Sequence, residues 1–345
     1  MISFRTKAAM VILSLFSFLS CQKELANLNQ DTQKVRVYFV STYAGSFLQG
    51  YLDGPALQST LKSPFGITAA TDGTLFITDN ANNNIRKISP EGMVGTVMPI
   101  NSLKGPSGIT IGPDGSLYVC ESLTNRIVKI SPDGSLITLN ITELCDDGTF
   151  IETTLNSPNG IAIADDGSIY VADTFNNKIR KINPDGKSVV VAGSTAGFLD
   201  GKGAEAKFYF PFGIALDKEG SIYVSDYGNN SIRKISKDGS VSTLAGSETP
   251  GSVDNKSGPL ASFNSPTDLA IADDGTIYIS DYANSRIRAI LTTGEVTTIA
   301  GTDNGWLDGV GMTAKFHNPV SLAIHKNTLF ITDSNNSRIR RISLD

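Results

Sequence analysis

Histidine is scarce in this chain of 345 residues, which holds 2 of them alongside 3 cysteines and 1 tryptophan. A zinc centre of the common kind draws on several imidazoles, and His317 and His325 stand close together in one stretch of chain. There is no Gly-x-Ser-x-Gly elbow and no Cys/His pair with an evident partner, so nucleophilic hydrolases find no support. Basic charge is also short, with Lys and Arg at 29 against Asp and Glu at 34. The formal net charge of −5 argues against the basic footprint that nucleic-acid binding needs. Low-complexity segments and long charged tracts are absent. The main apolar run, Ala8 to Leu19, is too short to span a bilayer comfortably.

That run reads instead as the apolar region of an export signal, because Arg5 and Lys7 precede it. Phe18-Leu19-Ser20-Cys21 then resembles a bacterial lipoprotein signal, although Phe18-Leu19 departs from the usual order of residues. The resemblance implies a signal over 1–20, lipidation of Cys21, and a polar tether over 21–35. Loss of Arg5 and Lys7 would take the formal charge from −5 to −7. The expected location is the bacterial cell envelope, membrane-anchored on its periplasmic or cell-surface side. In that setting Cys120 and Cys145 are a candidate disulfide, whose formation depends on a geometry the sequence does not fix.

What the chain has in abundance is repetition. Pro64, Pro106, Pro158, Pro211, Pro266 and Pro319 each open the same phrase, at intervals of roughly 42 to 55 residues. Each proline leads a short apolar run, then an Asp-Gly-type turn, then a strand of the Ile-Tyr-Val kind ending in an acid. The closing acids are Asp79, Glu121, Asp173, Asp226, Asp281 and Asp333. An Ile-Arg-Lys-Ile strand and a Val-Ser-Thr-Leu-Ala-Gly strand complete a unit of four. Such a unit cannot bury both its faces alone, so the units are expected to pack around an axis. The expected fold is all-β, a six-bladed β-propeller over 36–345, its ring closed by the N-terminal strand completing the last blade.

The runs Asp173-Thr174-Phe175-Asn176-Asn177-Lys178-Ile179-Arg180-Lys181-Ile182 and Asp226-Tyr227-Gly228-Asn229-Asn230-Ser231-Ile232-Arg233-Lys234-Ile235 closely resemble the NHL repeat. The resemblance extends over nearly all of the chain that follows the tether. It implies a propeller but leaves function open, since similar proteins include RNA-binding modules, ligand sensors, a zinc-dependent lyase and, more distantly, calcium-dependent lactonases.

In five repeats an Arg follows the acid by seven residues, as in Asp226 and Arg233. A role present in every blade belongs to the scaffold, with the acid and Arg meeting across a hairpin and the intervening Asn holding the turn. The second repeat departs from this, with Glu121 for Asp, Val128 for Arg, and Cys120 where others carry Ala, Ser or Thr. Glu121 is therefore expected either to reflect drift or to be free for a ligand.

Departures from the repeat also mark the axial mouth. After each proline stand Phe65, Ser107, Asn159, Phe212, Thr267 and Val320. The next position is Gly in four repeats but Asp268 and Ser321 in the last two. Apolar walls with a few polar groups are the makings of a small-ligand pocket, against the plainer reading of a solvated channel entrance. Phe65, Asn159, Phe212, Thr267, Asp268 and Ser321 are the candidate ligand contacts, with Tyr209 from the nearby aromatic cluster Phe208 to Phe212. The expected function is binding of a glycan, peptide or protein partner through the loop-rich face, with attachment to the membrane through the lipid and no nucleic-acid partner. No catalytic residue and no cofactor are assigned. The alternative is a calcium-dependent hydrolase or lactonase, with Glu121, Asn159 and Asp268 as oxygen ligands.

Overall fold

Short β-branched and aromatic runs separated by Asp-Gly turns form strands too brief to stand alone, so each repeat folds into a small antiparallel sheet. The computed structural model describes residues 36–144, 149–152 and 154–345. The expected signal and tether, Cys21 and Cys145 all lie outside the described residues. Among the described residues, no helix is long and apolar enough to cross a membrane.

Six sheets of four to six strands make an all-β, six-bladed propeller within the compact unit Tyr38–Asp345. Their inner strands are Pro64–Ala69, Pro106–Ile111, Ile161–Ile163, Pro211–Leu216, Pro266–Ile271 and Pro319–His325. We number the blades in that order. Each inner strand packs beside those of the neighbouring blades, and the sixth packs beside the first. In blade 6, Phe39–Ala44 lies antiparallel to Arg338–Ser343 and supplies an outer strand.

The core is layered between blades. Ala172 and Ile179 of blade 3, for example, pack with Ile214 and Val224 of blade 4 and with Phe208 from the connection between them. Phe208, Phe263 and Phe316 are fully buried, and Leu61, Leu103 and Leu155 hold the same place before the other prolines.

The repeated acid and Arg meet inside each blade that has both. Arg233 donates to Asp226 at 2.7 Å and to Asp200 at 2.6 Å, and stacks on Phe208 at 5.1 Å. Arg288 repeats this with Asp281, Asp254 and Phe263, and Arg340 with Asp333, Asp308 and Phe316. The second carboxylate also ties down the outer strand, since Asp200 accepts from the backbone N–H and hydroxyl of Thr243. Asn229 donates to Asp226 at 2.8 Å. The following Asn230 adopts φ of 51° to close the turn, a conformation asparagine tolerates better than most residues. Burial pushes the Asp226 carboxyl up to about 6, against the pull of Arg233, Asn229 and the Tyr209 N–H.

Blade 2 decides against one of the two readings of Glu121. Glu121 is not freed by the loss of arginine at Val128, because Arg126 reaches back to it from the start of the next strand. Its other oxygen accepts from the Lys104 N–H at 2.7 Å, and Thr124 donates at 2.9 Å. Cys120 is fully buried and has no disulfide partner among the described residues, and the other half of the candidate disulfide, Cys145, lies outside them.

Candidate functional site

The inner strands approach most closely just after their prolines. A Cβ on Gly66 would lie 2.4 Å from the Ser107 carbonyl oxygen, and one on Gly108 would lie 2.1 Å from that of Asn159. Gly160 and Gly213 are confined in the same way, by the carbonyls of Phe212 and Thr267 at 2.3 and 2.5 Å. Only glycine fits where neighbouring backbones pass this close. The blades are joined here by short bonds. Gly160 donates directly to the Phe212 carbonyl at 2.7 Å, and Ser225 spans from the Gly213 N–H to the Thr267 carbonyl.

Along the axis these strands enclose a cavity of about 320 Å³, lined by residues of all six blades. Phe65, Asn159, Phe212, Thr267, Asp268 and Ser321 all line it, so the structure brings six of the seven candidate contacts together. The seventh, Tyr209, does not line it. Tyr209 is partly exposed and stacks on Phe210 at 4.4 Å, which in turn meets Phe175 at 5.2 Å. Those three rings form a patch of their own.

Phe65 and Phe212 come from blades 1 and 4, on opposite sides of the ring, yet their ring centroids are 5.9 Å apart. The pair therefore reaches across the axis. Tyr227 extends the run of rings at 5.6 Å from Phe212, and sequence reasoning missed it because it sits in a turn of the common repeat.

The polar groups divide by what already occupies them. Thr267 is buried, and its hydroxyl donates to the Val320 carbonyl at 2.8 Å, as Ser107 donates to that of Pro158 at 3.0 Å. Both hydroxyls therefore link blades. The Asn159 amide turns back to the Ser157 carbonyl at 3.0 Å and the Thr174 hydroxyl at 3.1 Å. Asp268 differs, because it stands where four blades carry glycine. One of its oxygens accepts from the Ser321 hydroxyl at 2.6 Å and the Leu322 N–H at 3.0 Å. Burial pushes its carboxyl up to about 6, which these hydrogen bonds only partly offset. Among the described residues, Asp268 is the sole ionisable side chain that lines the cavity.

Calcium ligation by Glu121, Asn159 and Asp268 does not fit this arrangement. Glu121 does not line the cavity and is held by Arg126, Thr124 and Lys104. Among the described residues, no group of three or more His, Cys, Asp and Glu is placed to hold a metal ion.

The fold and mouth define a six-bladed propeller of the NHL type, and the NHL repeat model matches residues 263–290. The virginiamycin B lyase family model matches residues 47–245, more than half of the chain, and the chain belongs to that family. The human protein named NHL repeat-containing protein 2 is 29% identical over 232 residues, covering 56% of this chain and 32% of the relative. The chain thus spans about a third or less of the curated relatives it matches. Among solved structures, an auxiliary nutrient binding protein from Bacteroides ovatus aligns with a TM-score of 0.70 at 18% identity, over 89% of this chain and 76% of that one. A catalytically inactive His→Ala variant of virginiamycin B lyase from Staphylococcus aureus, crystallised with quinupristin, aligns with a TM-score of 0.58 at 17% identity. That match covers 89% of this chain and 100% of the lyase. At such identities the two structures share the fold.

Proposed function

We propose that the protein is an exported, lipid-anchored binding module of the bacterial cell envelope that takes a glycan, peptide or protein partner at its axial mouth. The observation that carries this reading is the cavity of about 320 Å³ beneath a run of aromatic rings, Phe65, Phe212 and Tyr227. Its size and its mixture of apolar wall with few polar groups suit a small ligand or the tip of a larger one. The likeness to a nutrient binding protein supports binding as the task.

Family membership raises lyase chemistry as the second reading. The staphylococcal enzyme is inactive when one histidine is replaced by alanine. Here neither histidine lines the cavity. His325 ends the inner strand of blade 6 opposite Thr328, beside the turn at Gly73, and His317 precedes Pro319 in a connection. This placement favours binding over catalysis.

The test is a screen of glycans and peptides against wild type and Phe212→Ala. Binding by wild type that the variant loses supports the mouth as the site, and an empty screen or an unaffected variant removes it. Mass spectrometry of the mature N-terminus tests the anchor, because an unmodified Cys21 would rule it out.

A further inference from the structure

Each of the repeated carboxylates that closes a second strand is matched by a protein cation. Asp79, Asp173, Asp226, Asp281 and Asp333 pair with Arg86, Arg180, Arg233, Arg288 and Arg340, and Glu121 pairs with Arg126. Asp268 has no such match. It is bound by the Ser321 hydroxyl and the N–H groups of Leu322 and Leu269, and among the described residues no Lys, Arg or His lines its cavity. Its other oxygen lies 2.7 Å from where a Cβ on Gly213 would stand, one residue along from Phe212. A carboxylate and aromatic rings lining one cavity are the pairing that holds an organic cation, through charge from one group and the ring quadrupoles from the other.

We propose that the cavity selects a ligand bearing an organic ammonium group, held between the Asp268 carboxylate and the rings of Phe65 and Phe212. The inference rests on the binding reading and narrows it, because it names the charge of the ligand. The cation supplies what the scaffold gives its other buried acids and withholds here. Two sources share this chemistry, the free amine of an amino sugar and the amino group of a peptide.

The probe is benzylamine, followed by ligand-observed NMR at neutral pH beside benzyl alcohol and benzoate. Benzylamine is expected to bind wild type and to weaken on the order of tenfold or more in Asp268→Asn, as loss of a charged hydrogen-bond partner implies. Benzyl alcohol should respond little to that change. Benzoate should be excluded by wild type and admitted by Asp268→Asn, a gain that misfolding would not produce. Binding of benzylamine no tighter than benzyl alcohol overturns the inference, as does the absence of benzylamine binding to wild type. If Phe212→Ala abolishes equal binding of both probes, the ammonium inference falls and the mouth remains the site. Glucosamine against N-acetylglucosamine, and phenylalanyl-alanine against its N-acetyl form, then separate the two sources. Binding lost on acetylation in one pair identifies the source, and binding insensitive to acetylation in both overturns the inference.

Discussion

Replacing Arg233 by methionine keeps a long side chain against Phe208 and Phe198 but removes the guanidinium that sits over both rings, at 5.1 and 4.9 Å. Four acceptors lose one donor each, the carboxylates of Asp226 and Asp200 and the carbonyls of Lys207 and Leu199. Asp226 is fully buried and retains only the Asn229 amide and the Tyr209 N–H, both at 2.8 Å. Removing one partner of a buried ion pair costs about 3–5 kcal/mol, because the other charge is left uncompensated. With an m-value near 3 kcal/mol/M, the urea midpoint read by circular dichroism should fall by about 1–1.7 M. Adding Asp226→Asn in the same chain should recover part of that loss, since the stranded charge is gone while the guanidinium's bonds to Asp200, Lys207 and Leu199 are still missing. A loss under about 1 kcal/mol, or a double variant no better than the single, would refute the view that charge compensation dominates here.

Asp268 should leave a mark on the pH dependence of stability. Its carboxyl rises in the fold from the ordinary 3.8 to about 6, so its contribution is full below about pH 4 and is lost as pH rises through 6. The groups facing it are the Ser321 hydroxyl, the N–H groups of Leu322 and Leu269 and the Gly213 backbone, with no second ionisable side chain among the described residues that line the cavity. Urea midpoints measured from pH 4 to 7 should therefore decline less in Asp268→Asn than in wild type, and parallel curves would contradict the assignment. In Gly160→Ala the new methyl would lie 2.3 Å from the Phe212 carbonyl oxygen and 2.9 Å from the Gly213 Cα. Both are backbone, so a loss of about 1–3 kcal/mol is expected in the same denaturation assay. Burial raises the Cys120 thiol well above its usual range, so peptide mapping after native iodoacetamide treatment should find that residue unmodified and labelling should follow unfolding. Rapid native labelling of Cys120 would show that blade 2 opens.

The propeller was legible because one pattern occurs six times in phase, so each strand assignment is checked by five others. The same redundancy identified Asp226 and Arg233 as scaffold. The partner of Glu121 was not legible because Arg126 comes from a position with no role in the repeat, and only the fold of the hairpin brings the two together. At the mouth, the sequence marked the positions but not their occupation. Thr267 and Phe212 look equally available in the chain, yet one hydroxyl is spent on a neighbouring carbonyl while the other residue reaches across the axis to Phe65. Tyr209 stands three residues before Phe212 and still belongs to a different patch, because the proline between them begins the strand that turns inward. Tyr227 escaped notice for the opposite reason, since a residue inside the repeat is read as part of it.

The glycine neck also bears on how such a mouth diversifies. At Gly66, Gly108, Gly160 and Gly213 the neighbouring backbone leaves no room for a side chain, whereas Asp268 and Ser321 occupy the same strand position with side chains in place. New selectivity introduced into this ring by single substitutions therefore has two dials at that level, both in adjoining blades. A library randomised at 268 and 321 would explore nearly all the ligand chemistry the neck can reach without rebuilding the barrel of strands around it.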